Sequence, residues 1–191
     1  MSINRRQFIK WAGTAPLASQ LVLSAPTALA IPSLSLPQQK PEGERHLKLR
    51  SLHTGETAKV TYWEQGEYSI DALADIFLLM RDHRQNRIAP IDIQLLDQLY
   101  SIQEKLGSSK EILLVSGYRS PETNAQLREA GTGVAKRSLH MSGKAMDFRI
   151  PGLNLRQVHK ATLASTIGGV GYYGRSGYIH MDTGRKRRWH L

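Results

Sequence analysis

Two short stretches hold side chains that can do chemistry together. The first is Ser138-Leu139-His140-Met141-Ser142-Gly143-Lys144-Ala145-Met146-Asp147, which the apolar alternation Met146, Phe148, Ile150 extends. A period of two aims those three side chains at the core and puts Ala145, Asp147 and Arg149 on the opposite face. His140 lies seven residues before Asp147 across a turn that contains Gly143, so it can fold back beside the carboxylate. The second stretch is Tyr178-Ile179-His180-Met181-Asp182, where the same alternation gathers Tyr178, His180 and Asp182 on one face. If the two strands are neighbours, two imidazoles and one carboxylate converge. Three protein ligands with a fourth position open to water are the arrangement of catalytic zinc, which lowers the pKa of that water and polarises a carbonyl.

The elements needed to hold these residues are readable. His46–Leu52 and Glu56–Trp63 pair as strands across His53-Thr54-Gly55. Ser69 caps a helix whose apolar stripe is Ile70, Leu73, Ala74, Phe77 and Leu78. Asp92 caps a second helix with Ile93, Leu96, Leu99, Tyr100 and Leu106 on its buried side, and Gly107 ends it. Residues 112–115 form a continuous apolar run, expected to be a buried central strand. Ser120 and Pro121 start a helix that stops at Gly131, and Asn154 opens another. Val170–Tyr173 and Tyr178–Asp182 are expected to form a hairpin. This mixed order, with an antiparallel C-terminal part, argues for an α+β fold: a small mixed or antiparallel sheet flanked by helices.

The 191-residue chain has no cysteine, so a thiol nucleophile and Cys-ligated zinc are excluded, and any metal site must use His, Asp or Glu. Lys and Arg number 26 against 16 Asp and Glu, a balance that suits an anionic partner. The first thirty residues are acid-free. They run from Arg5, Arg6 and Lys10 through a mildly apolar stretch to Ala28-Leu29-Ala30, an A-x-A cleavage site. The paired arginines look like a twin-arginine export signal, which gives residues 1–30 as signal and the periplasm as destination. Gly13, Pro16, Ser19 and Gln20 make that stretch too weak for a stable membrane span. Residues 31–45, interrupted by Pro32, Pro37 and Pro41, read as a linker, which leaves 46–191 as the functional domain.

Ser-x-His-x-x-Gly-x-Ala-x-Asp followed by a strand histidine resembles the D-Ala-D-Ala metallopeptidase group, which includes murein endopeptidases and vancomycin-resistance dipeptidases. The stretches Val115-Ser116-Gly117-Tyr118-Arg119-Ser120-Pro121, Gly169-Val170-Gly171-Tyr172-Tyr173 and His180-Met181-Asp182-Thr183-Gly184 resemble its murein endopeptidase K branch. The likeness spans about residues 68–190. It implies a hedgehog/D-Ala-D-Ala-peptidase-like fold, with Zn2+ held by His140, Asp147 and His180. It further implies an oxyanion-stabilising, substrate-contacting role for Arg119 and a substrate-contacting role for Ser138. One departure stands out. Many relatives carry Glu three residues, or His two residues, before the last ligand, and here those positions are Gly177 and Tyr178. Asp182 is the candidate to replace the missing base, since it shares the face of His180 and could either orient that ring or take a proton. Tyr178 is the candidate donor to the oxyanion.

The expected function is a monomeric zinc endopeptidase that cuts D-Ala–meso-diaminopimelate or meso-diaminopimelate–meso-diaminopimelate cross-links of periplasmic peptidoglycan. Two alternatives stay open at this point: a carboxypeptidase or dipeptidase on D-Ala-D-Ala ends, and an inactive zinc-containing wall-binding protein. Nucleic acid is not an expected partner, because the basic residues are scattered. The cluster Arg185-Lys186-Arg187-Arg188 is expected to be a solvated tail or a contact for the polymer's carboxylates.

Overall fold

Wherever a capping side chain precedes an apolar stripe, the chain is helical in the computed structural model, which describes residues 43–191. Helix α1 (Ile70–Leu79) starts where the Ser69 side chain accepts from the Ala72 amide, and α2 (Ile93–Lys105) where Asp92 accepts from Gln94. Helix α3 (Pro121–Glu129) is capped by Ser120 with proline in its first turn, and α4 (Leu155–Ser165) by Asn154. Gly107 and Gly131 follow α2 and α3 with positive φ, as expected for helix stops.

The strands are β1 (Arg45–Ser51), β2 (Thr57–Glu64), β3 (Glu67–Tyr68), β4 (Ile112–Ser116), β5 (Ala145–Arg149), β6 (Gly169–Tyr173), β7 (Tyr178–Asp182) and β8 (Arg187–His190). They form one open mixed sheet of eight strands in the order β3-β2-β1-β4-β5-β7-β6-β8. Pairing is parallel between β1 and β4 and between β6 and β8, and antiparallel elsewhere. The architecture is α+β, with a sheet wider than the small one expected.

Alternation along β5 and β7 separates two faces. Met146, Phe148, Ile179 and Met181 are fully buried and join Leu47, Leu49 and Tyr62 with Ile76, Leu95, Leu99 and Val158 of the helices in a single core. Burial stabilises each large side chain there by about 1.5–3 kcal/mol. The intervening positions Asp147, His180 and Asp182 point the other way.

Three expectations need correction. The buried face of α1 is Ala72, Leu73, Ile76 and Leu79, while Ile70 and Leu78 are 66% and 38% exposed. The helix is therefore turned from the stripe read in the sequence, so that small Ala72 faces inward. In α2, Ile93 and Tyr100 are only half-buried, whereas Gln98 and Gln103 are buried. Those two glutamines are satisfied, Gln98 accepting from the Ile167 amide at 3.1 Å and Gln103 donating to the Lys110 carbonyl at 3.0 Å. Finally, residues 187–190 are an edge strand rather than a tail.

The expected export signal and nearly all of the linker lie outside the described residues. Among the described residues no helix is long and apolar enough to cross a membrane.

Candidate metal centre

His140 sits on a 3-10 turn, Leu139–Ser142, that Gly143 ends with φ 67°. A Cβ at Gly143 would collide with the Pro90 carbonyl, so both the backbone conformation and the close approach require glycine. The approach is held by the Asp92 amide, which donates to the Gly143 carbonyl at 2.9 Å. His140 Nδ1 lies 2.8 Å from the Gly117 carbonyl. A carbonyl only accepts, so Nδ1 carries the proton and Nε2 presents its lone pair. The Arg119 amide donates to the His140 carbonyl at 3.1 Å, fastening the loop after β4 to the same turn.

Strand register supplies the other two groups. Asp147 on β5 is directly paired with His180 on β7. His180 Nδ1 stands 2.8 Å from Asp147 Oδ1 and 3.3 Å from His140 Nε2, and His140 Nε2 is 3.4 Å from Asp147 Oδ2. All three residues are buried. Zinc bonds of 2.0–2.1 Å in a tetrahedron put ligand atoms about 3.3 Å apart. Two of the three separations match that edge, and the shorter one is a hydrogen bond. Two nitrogens and a carboxylate are also the donor chemistry of such a site, so the residues fit a divalent ion.

The far side of the His180 ring is equally organised. Its Nε2 is 3.1 Å from Asp182 Oδ2. Asp182 is fully buried and has no idle oxygen: Oδ1 accepts from the amides of Gly169 and Gly184, each at 2.9 Å, and Oδ2 takes Arg187 at 2.7 Å. Sealed from solvent and turned to the ring nitrogen opposite Asp147, Asp182 is arranged to orient His180. Of the two roles expected for it, proton acceptor is the one this packing disfavours. The Trp189 ring lies 5.1 Å from that of His180 and over Gly171, where any Cβ would meet the indole.

These contacts set the charge of the site. Burial raises the Asp147 carboxyl's pKa, but His140 and His180 outweigh it and hold the group well below the usual carboxylate range. Burial likewise works against Asp182, yet His180, the two amides and Arg187 keep it ionised. Burial lowers the His180 imidazole, and its hydrogen bonds to Asp147 and Asp182 overcome this and raise it to about 9.

Arg119 is half-buried at the start of the α3 loop and held by Asn124 at 3.4 Å and Ser116 at 3.5 Å. Burial draws its guanidinium down, with the Asp147 charge opposing. Tyr178 stacks on Tyr173 with ring centroids 4.5 Å apart. Burial and the charge of Asp147 push its phenol up, so it remains a donor. Ser138 opens the His140 turn with its side chain free of any capping bond. Sequence reasoning missed Arg187 and Trp189 as supports of the centre. Their period-two spacing was the available signal, hidden by the surrounding basic residues.

A family model described as peptidoglycan L,D-endopeptidase MepK matches residues 39–189. The chain is 44% identical over 186 residues to the protein of that name in Escherichia coli strain K12, with 97% of each chain covered. It has the same identity and coverage to that of Shigella flexneri. To the probable peptidoglycan L,D-endopeptidase MepK of Haemophilus influenzae it is 38% identical over 181 residues, 94% of each chain.

Proposed function

The chain belongs to the peptidoglycan L,D-endopeptidase MepK family of metallopeptidases, and on that premise we propose that it is a zinc-dependent endopeptidase acting on cross-links of periplasmic peptidoglycan. The observation that carries this reading is the convergence of His140 Nε2, His180 Nδ1 and the Asp147 carboxylate, with both imidazole tautomers fixed from behind.

His140, Asp147 and His180 would hold the ion. Bound there, it supplies a Lewis acid for the scissile carbonyl and a water of lowered pKa. The protein's own groups do the rest. Gly117 keeps the His140 lone pair aimed inward, and Asp182 holds the outer proton of His180 so that the inner nitrogen is the one freed when the proton shared with Asp147 leaves. Arg119 and the Tyr178 hydroxyl are the donors for the carbonyl oxygen as negative charge grows on it. Ser138, whose side chain makes no capping bond at the start of the His140 turn, contacts the substrate.

The relatives' name specifies an L,D bond. In stem peptides that bond joins the L-centre carbonyl of one diaminopimelate to the D-centre amine of another, whereas D-Ala–diaminopimelate is a D,D bond. The diaminopimelate–diaminopimelate link is therefore the substrate we assign. Residues 1–30 serve as a twin-arginine signal and 31–45 as the linker, leading to a metallopeptidase domain over 46–191.

Digestion of purified sacculi tests the reading. Zinc-loaded protein should deplete diaminopimelate–diaminopimelate dimers from the muropeptide profile by mass spectrometry, and chelator should abolish the change. Identical profiles with and without loaded protein would overturn it.

A further inference from the structure

Five arginines among the described residues are half-buried: Arg45, Arg81, Arg119, Arg149 and Arg187. Arg45 meets Asp97 at 2.8 Å, Arg81 meets Glu56 at 2.7 Å and Arg187 meets Asp182 at 2.7 Å. Arg119 is held by Asn124 and Ser116. The Arg149 side chain alone of the five has neither an ion pair nor a hydrogen bond to a described residue. A half-buried arginine whose fork meets no anion among the described residues keeps its parallel donors open to one.

The backbone says where such an anion would lie. Arg149 ends β5 two residues after Asp147, and Phe148 between them is fully buried in the core. Strand alternation therefore puts Arg149 on the face of Asp147, about 6.6 Å along the strand. Beside it is Gly177, whose missing side chain leaves the space open: a Cβ there would lie 3.8 Å from the guanidinium. Arg149 also borders a cavity of about 340 Å³ with Ile150, Leu153 and Val158 in its walls. The fork of an arginine matches a carboxylate with two parallel hydrogen bonds.

We propose that Arg149 is a specificity residue that receives the free carboxylate on the carbon attached to the scissile nitrogen. This inference rests on the endopeptidase reading above and deepens it. In a diaminopimelate–diaminopimelate link, the carbon that bears the scissile amine also bears a free carboxyl group. That group lies next to the reacting bond, within the reach of a side chain one same-face position from Asp147. The enzyme then prefers a cross-link with this carboxyl free over one in which it is amidated.

Two synthetic cross-linked peptides, one with the carboxylate and one with a carboxamide at that carbon, test it with the zinc-loaded protein. Wild type should favour the acid roughly ten- to hundredfold in kcat/KM, mainly through KM, as expected for a charge-assisted pair. Arg149→Gln should bring the ratio toward one and weaken equilibrium binding of the acid peptide by calorimetry, while Arg149→Lys keeps an intermediate preference. Circular dichroism and thermal melting report whether each variant is folded, and the wild-type ratio needs no variant. Equal kcat/KM on both peptides for wild type, or a wild-type ratio retained in folded Arg149→Gln, would overturn the assignment and leave the endopeptidase reading intact. Failure of wild type to cleave either peptide would overturn both.

Discussion

His180 and Asp182, two residues apart on β7, meet on the side of the imidazole that faces away from Asp147: Nε2 stands 3.1 Å from Asp182 Oδ2, while Nδ1 stands 2.8 Å from Asp147 Oδ1. Asp182 holds a proton on the outer nitrogen, and the inner nitrogen shares with Asp147 the proton that a metal would displace. At His140 a backbone carbonyl holds the outer proton in place of the aspartate.

Asp182→Asn separates orientation from proton transfer. Loss of an outer partner of a ligand histidine costs about ten- to a hundredfold in metal affinity. Chelator competition should show a loss of that size, with turnover largely recovered at saturating zinc. A general base contributes 10²–10⁴-fold. A deficit above a hundredfold in fully loaded Asp182→Asn would therefore restore Asp182 as the base.

Arg187→Leu should destabilise the protein by about 2 kcal/mol in urea denaturation, since it strips a charged partner from a fully buried carboxylate. Arg188→Ala, at an exposed position of the same strand, should stay within about 0.5 kcal/mol. Equal effects would mean that the basic cluster acts as surface charge.

Arg119→Met should lower kcat by about 10²–10³-fold, the range for removing one oxyanion donor. Zinc content should not change, because its guanidinium contacts none of the three ligand side chains. Parallel loss of metal would assign Arg119 a structural role.

Zinc affinity should rise with pH up to about 9. In the metal-free protein the proton on His180 is held by Asp147 and Asp182, and a metal must displace it. Each unit below 9 then weakens apparent affinity about tenfold, and calorimetry in buffers of different ionisation enthalpy should show close to one proton released at neutral pH. The stability of the metal-free protein follows the same signs. The raised His180 pKa contributes fully below its ordinary value of 6.5, and that contribution is lost as pH rises through 9. The depressed carboxyls of Asp147 and Asp182 contribute above 3.8, and that part is lost in acid. A flat pH dependence of zinc affinity between 6 and 9 would contradict this charge arrangement.

Local chemistry made much of the fold legible. Ser69, Asp92, Ser120 and Asn154 each cap the helix expected of them, because a cap is a contact between near neighbours in the chain. Period two along Met146, Phe148 and Ile150 gave the core face of β5, and with it the face of Asp147. Contacts between distant segments were not legible. Strand β8 pairs in parallel with β6, and its run of arginines resembles a tail until the buried Asp182 is placed beside Arg187. The rotation of α1, which buries Ala72 and Ile76 and leaves Ile70 and Leu78 exposed, is set by tertiary packing that a stripe of similar apolar residues does not encode. Tyr178 was readable as a neighbour of His180, but the stacking on Tyr173 comes from hairpin register.

Whether His140, Asp147 and His180 hold a zinc ion is read by elemental analysis of the folded, zinc-supplemented protein after removal of free metal, with His140→Ala and His180→Ala alongside. Wild type should hold close to one zinc per chain, and each folded variant should lose stoichiometric zinc. Wild-type protein without bound zinc, or variants that retain a full equivalent, would contradict zinc binding by these residues.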